Sequence, residues 1–75
     1  MTNRTLSQLS PLEYGKIISL TNTDAIRRRL QDIGFVKGTT VQCLFRSPLG
    51  DPTAYRVKET TVALRLEEAS KILIE

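Results

Sequence analysis

Apolar and polar positions alternate along most of this chain in short runs, and the period lengthens once. Residues 14–20 hold Ile17, Ile18 and Leu20 among polar neighbours, with a polar break after them, which is the pattern of a strand. From Asp24 the spacing changes. Ile26, Leu30 and Ile33 stand at i, i+4 and i+7 and so share one stripe of a helix. Asn22 or Thr23 is placed to cap its first amides, and Asp24 sits where the helix dipole favours negative charge. Gly34 ends it, because glycine enters the left-handed region without a Cβ clash, and Phe35 is then free to pack back on Leu30.

A turn at 36–38 leads into a strand over 40–46. Alternation puts Val41, Cys43 and Phe45 on one face and Thr40, Gln42 and Arg46 on the other, with Leu44 breaking the pattern toward the polar side. Residues 54–58 and 61–66 pair as a hairpin across Glu59-Thr60. Tyr55 and Val57 then face inward beside Val62, Leu64 and Leu66. Residues 67–71 read as a helical turn and 72–74 as a closing strand. Toward the N-terminus, residues 5–9 make one helical turn that brings Leu6 and Leu9 to one side, until the Ser10-Pro11 step ends it. Residues 1–4 are polar and expected to be disordered. The order is strand, helix, then strands at short spacing, with short helical turns near both ends. It predicts a mainly β fold, a small barrel or sandwich, in one domain spanning 1–75. The expected core is Ile17 or Ile18 with Ile26, Leu30, Val41, Phe45, Val57, Val62, Leu64 and Ile72. Closing a barrel would remove exposed strand edges.

Composition sharpens this picture. With two Phe, two Tyr and no Trp, aliphatic side chains must fill the core, which suits a tight barrel better than a roomy ligand cavity. The net charge of +3 and a pI near 9.4 suit an anionic partner surface or nucleic acid, without selecting either. Cys43 is alone, so no internal disulfide forms, as fits a reducing cytosol. No secretion signal is legible at the N-terminus, and no run approaches the ~18 apolar residues of a membrane span. The expectation is a chain without membrane insertion.

The chemistry is bounded by absences. There is no histidine, hence neither the commonest general acid/base nor the commonest transition-metal ligand. One cysteine on an apolar strand face reads as a small core hydrophobe. The four glycines form no phosphate-binding pattern, and no Ser or Cys has a candidate base. Asp24 and Asp32 lie two turns apart on one helix, ~12 Å along its axis, and cannot share an ion. These residues predict no catalysis, no cofactor and no dedicated metal site. Arg27-Arg28-Arg29 is the most conspicuous charge run. Arg28 lies opposite the apolar stripe with Asp24 and Asp32 at i−4 and i+4 as partners, while Arg27 and Arg29 border the stripe. The run reads as a solvated helix face, with a protein-docking surface or a phosphate contact as sharper alternatives. Arg46, Arg56, Lys58 and Arg65 also point outward. The loop Ser47-Pro48-Leu49-Gly50-Asp51-Pro52 is stiffened by proline at both ends. Gly50 permits a positive φ, and Asp51 is suited to accept bonds from nearby amides. Leu49 is then presented at the tip. The loop is either a tight connection or a preordered apolar knob beside a charged rim.

That hexapeptide resembles the APLGDP signature of FeoA proteins. Arg29-Leu30, Gly34-Phe35 and Lys37-Gly38-Thr39 are similar to the family's Arg-Leu, Leu-Gly-Leu and Pro-Gly-Thr. Ala63-Leu64-Arg65 with Glu67-Glu68-Ala69 resembles its Ala-Leu-Arg-x-Glu-Glu-Ala segment. Lys37, Ser47 and Glu59 depart from the pattern. Glu59 stands where glycine is common, so a longer or differently shaped turn is expected there. The resemblance covers residues 9–75. It implies an SH3-like barrel with the helix inserted after the first strand. It also implies a cytoplasmic accessory of ferrous iron uptake, held at the inner membrane by docking on FeoB, a transporter with a GTP-binding domain. The same domain type forms a C-terminal unit of iron-dependent repressors, but no winged-helix portion is present here. The family also carries a transition-metal label, for which these residues supply no ligand set. Partner-binding residues are expected at Pro48, Leu49, Gly50, Asp51 and Pro52, with Arg27 and Arg28 as a charged rim. The alternatives are an iron-dependent-repressor-type regulatory domain and a small basic SH3-like nucleic-acid-binding barrel. The barrel is disfavoured by the modest charge and by Phe45 and Tyr55 pointing to the core, since single-strand binders rely on exposed rings.

Overall fold

The helix with the apolar stripe forms as α1, Asp24–Ile33. Its end follows the sequence logic. Gly34 takes φ 132°, and the Leu30 carbonyl accepts both the Gly34 amide at 3.1 Å and the Phe35 amide at 3.0 Å. That closure turns Phe35 into the core, where it is fully buried beside Leu30. The start differs from expectation. Thr23 holds the cap position without a side-chain bond, and Asn22 is buried, its Nδ2 donating to the Glu68 carbonyl at 3.2 Å. Asn22 thus ties the chain entering α1 to the C-terminal helical turn.

The computed structural model describes residues 4–75. Six strands occur in it: β1 (Arg4–Thr5), β2 (Tyr14–Leu20), β3 (Thr40–Arg46), β4 (Thr53–Val57), β5 (Thr60–Leu64) and β6 (Ile72–Ile74). A 3-10 turn at Leu6–Gln8 follows β1, and a short helix α2, Leu66–Ala69, precedes β6. The sheet is antiparallel in the order β1-β6-β2-β3-β4-β5. Residues 1–3 of the expected disordered start lie outside the described residues. Arg4 does not belong with them, since it pairs with Ile74 and its guanidinium grips Glu13 at 2.8 Å. The helix therefore follows the second strand, not the first.

β2 is the pivot. Its first half, Tyr14 to Lys16, pairs with β3, and its second half, from Ile17, pairs with β6. A bulge between Ile17 and Ser19 inserts Ile18 and bends the strand between its two partners. Ile17 consequently points inward and is buried, while Ile18 is only half-buried. One cluster gathers residues from β2 to β6 with Leu6, Leu9, Leu30, Phe35 and Ala69, so the sheet wraps a single core. Tyr55 crosses it and donates its hydroxyl to the Leu6 carbonyl at 3.4 Å. Among the described residues β1 and β5 do not pair, so the wrapped sheet keeps two edges there instead of closing.

Three expectations fail for identifiable reasons. Phe45 is 60% exposed because a second bulge, between Cys43 and Phe45 in the β3·β4 ladder, reverses the alternation after Cys43. The hairpin turns on Lys58-Glu59, with φ 47° and 68°, instead of Glu59-Thr60. Two residues of positive φ make the tight turn whose twist matches its strands, so of the longer or differently shaped turn expected at Glu59 the longer form is not the one adopted. Both strands shift by one residue, which preserves which side chains face in: Tyr55 opposes Val62 and Thr53 opposes Leu64. Leu66 is lost from the strand. It opens α2 and is 57% exposed.

Candidate functional site

The loop 47–52 joins β3 to β4 just beyond the Arg46–Thr53 pair. Ser47 donates its amide to the Pro52 carbonyl at 3.1 Å, and Gly50 donates to the Ser47 carbonyl at 2.8 Å. These bonds fold Ser47-Pro48-Leu49-Gly50 into a β-turn with proline at the position its fixed φ favours. Gly50, at φ 86°, supplies the backbone conformation that follows. Leu49 is left at the tip, 93% exposed, more than any other large apolar side chain described. Asp51 does not bond nearby amides as expected. Its Oδ1 accepts the Leu66 amide at 2.8 Å, fifteen residues on. That amide is one of the orphan donors at the start of α2, so Asp51 caps a helix end and anchors the loop base to it. The tip is apolar and the base is fixed.

The arginine run divides its tasks. Arg27 pairs with Asp24 at 2.7 Å, so the expected Asp24–Arg28 pair does not form. Nor does Arg28 pair with Asp32. It stays exposed and makes no ion pair among the described residues. Arg29 pairs with Glu68 of α2, and Glu68 also accepts the Arg65 amide at 3.0 Å. Arg29 and Ile33 share a groove with Pro52, Val62 and Leu64, whereas Arg27 and Arg28 do not line it. The member of the run beside the loop is therefore Arg29. Sequence reasoning missed this, because helical period alone does not reveal which neighbour α1 packs against.

The sheet's outer face carries a second concavity, of about 330 Å³, lined by Tyr14, Gln42, Arg56 and Lys58 among others. Tyr14, Gln42 and Arg56 lie in one cross-strand row. Tyr14 thus exposes its ring, to which the sequence had assigned no role, and so does Phe45, which had been expected in the core.

Among the described residues no three Cys, Asp or Glu side chains converge as a metal site. Cys43 is wholly buried on the inner face of β3, and burial pushes its thiol up, away from the thiolate that binds metals. Burial likewise pushes the Tyr55 hydroxyl up to about 12. Glu13 is the opposite case. Hydrogen bonds from the Arg4 guanidinium and then from the Ser10 amide hold its carboxyl down at about 2. No described helix is long and apolar enough to cross a membrane.

The sequence matches the FeoA domain over residues 4–75. The chain belongs to the FeoA domain family. A FeoA domain is a non-enzymatic accessory module of ferrous iron transport. Solved relatives share the architecture. A FeoA-like protein from Clostridium acetobutylicum superposes with a TM-score of 0.87 at 33% identity, covering 100% of this chain and 88% of that one. FeoA from Stenotrophomonas maltophilia, an SH3 domain protein solved in complex with zinc, gives 0.85 at 36% identity, covering 95% and 88%. The fold is SH3-like, as the resemblance implied. A curated relative from Porphyromonas gingivalis, a fusion of Fe(2+) transport protein A with the Fe(2+) transporter FeoB, is 36% identical over 70 residues. Those residues are 93% of this FeoA-family chain and 8% of the fusion protein, so the chain spans a small part of that relative.

Proposed function

We propose that this domain is a cytoplasmic accessory of ferrous iron uptake that docks on the cytosolic portion of an FeoB transporter and tunes its activity or assembly. The fusion relative supports the reading: there a matching domain is covalently joined to the transporter. A tether keeps two modules at high effective concentration, which benefits domains whose contact matters to function.

The docking surface is centred on Pro48, Leu49, Gly50, Asp51 and Pro52. Leu49 is an apolar anchor that the core does not use. Its turn is bonded and its base is tied to α2, so little entropy is lost when a partner covers it. Arg27 and Arg28 supply outlying positive charge. The test is Leu49→Asp measured against FeoB in detergent by surface immobilisation. The thermal midpoint stays within ~4 °C, as surface changes cost within about 0.5 kcal/mol. The Kd rises at least about tenfold, ~1.4 kcal/mol. A folded variant that binds like the parent moves the interface off the loop, and Arg27→Glu with Arg28→Glu is then the next pair to measure.

A further inference from the structure

Among the described residues β5 ends the sheet, and its outer edge is open. Its register against β4 determines which backbone groups are left over. The turn Lys58-Glu59 makes Val57 and Thr60 the closing pair, and the turn bond runs between those two residues. In an antiparallel ladder bonded and non-bonded pairs alternate. The bonded pairs are therefore Val57–Thr60, Tyr55–Val62 and Thr53–Leu64. Thr61 and Ala63 direct their N–H and C=O groups away from β4. Outside the ladder, no described backbone or side-chain group bonds to either residue. These are four unpaired backbone groups in register, on two exposed residues.

Exposed edges are usually guarded by charge, proline, a bulge or extreme shortness. Among the described residues the opposite edge, β1, is Arg4–Thr5 and carries the charge of Arg4. β5 is five residues, Thr60–Leu64, with no charge and no proline, and its register is unbroken. Beside it runs the groove of about 330 Å³ between β5 and α1. Ile33 and Val62, both only half-buried, form apolar wall there. The rim is basic. Arg29 is already paired with Glu68, whereas Arg65 makes no ion pair among the described residues. Pro52 lines the same groove, so it is continuous with the loop that carries Leu49.

We infer that the open edge of β5 is a strand-addition site for an extended segment of the docked partner, apolar where it faces Val62 and carrying a carboxylate near Arg65. The inference rests on the transporter-docking reading and gives that interface a second element. An added strand lies about 4.8 Å from β5. Its backbone satisfies Thr61 and Ala63, and backbone bonding supplies affinity while alternate side chains supply specificity. The side chain opposite Val62 enters the groove against Ile33. The carboxylate complements the free Arg65 guanidinium. Leu49, across Pro52, holds the same partner at a second point.

The experiment pairs a variant with amide exchange. Ala63→Pro removes one open-edge N–H and blocks the approach of a strand. The fold tolerates it, because this N–H faces away from β4 and proline is accepted at such edge positions. Binding of the variant to FeoB in detergent weakens at least tenfold. In the parent complex the Thr61 and Ala63 amides exchange at least tenfold more slowly than in the free chain, a measurement independent of how the variant folds. A folded Ala63→Pro variant with parental affinity overturns the inference, as do Thr61 and Ala63 amides that exchange in the complex at the free rate. If Leu49→Asp weakens binding while those results hold, the loop interface stands and only the edge site falls. Protection that grows with the concentration of this chain alone, without FeoB, also overturns it, because a second copy then fills the edge. A parent chain that fails to bind FeoB overturns the docking reading and this inference together.

Discussion

Leu30→Ala tests the joint between α1 and the sheet. Leu30 is the one wholly buried side chain of α1 and packs in the cluster with Phe35. Truncation removes three carbon groups at ~0.8 kcal/mol each, about 2.4 kcal/mol of lost burial. The space left cannot fully collapse, because both flanks are fixed: the Leu30 carbonyl holds the Gly34 and Phe35 amides, and β-strands form the other wall. With a cavity contribution the total is ~2–5 kcal/mol. A chain of 75 residues has a whole stability of about 4–11 kcal/mol at 0.05–0.15 per residue. The variant therefore sits close to unfolding. Urea titration followed by far-UV circular dichroism reads this directly. With m near ~1 kcal/mol/M for a small domain, the midpoint falls by ~2 M or more. Leu49→Ala is the control: at 93% exposure it changes stability within about 0.5 kcal/mol, a shift under ~0.5 M. Equal midpoints for the two variants at unchanged m would refute the placement of Leu30 in the core and, with it, the packing of α1.

Two further outcomes follow from the titratable groups. Glu13 has its folded pKa depressed from the ordinary 4.5 to about 2, so its bonds to Arg4 and the Ser10 amide stabilise the fold above pH 4.5. That contribution is lost as pH falls from 4.5 toward 2. Thermal midpoints measured across this window should drop more steeply for the parent than for Glu13→Gln, and parallel slopes would show that the Arg4–Glu13 pair contributes nothing. Cys43, wholly buried with its thiol pushed up, should react with a thiol-specific disulfide reagent at least about a hundredfold more slowly in the native chain than in urea, since only the exposed thiolate attacks. Fast native labelling would mean that β3 opens or that Cys43 does not face the core.

Much of the fold is fixed by short-range chemistry and so was legible. α1 was readable from period, cap region and Gly34, and its C-terminal closure needs only residues 30 to 35. The bounds of β2, β3 and β6 follow from β-branched and apolar runs between turn residues. The turn that exposes Leu49 was legible too, because Pro48 and Gly50 set its backbone locally. What the sequence could not decide depends on counting residues against a partner strand. One extra residue beside Cys43 sends Phe45 outward, and one beside Ile17 sets Ile17 inward over Ile18. A bulge is a mismatch between two strands, so neither strand's own pattern contains it. The same holds for the site. Asp51 finds the Leu66 amide fifteen residues on, and Arg29 finds Glu68 across the fold. Local sequence supplied an apolar tip and a run of arginines. Only the tertiary fold decided which arginine borders the loop and which stays unpaired, and only the order of the strands decided which edge remains open.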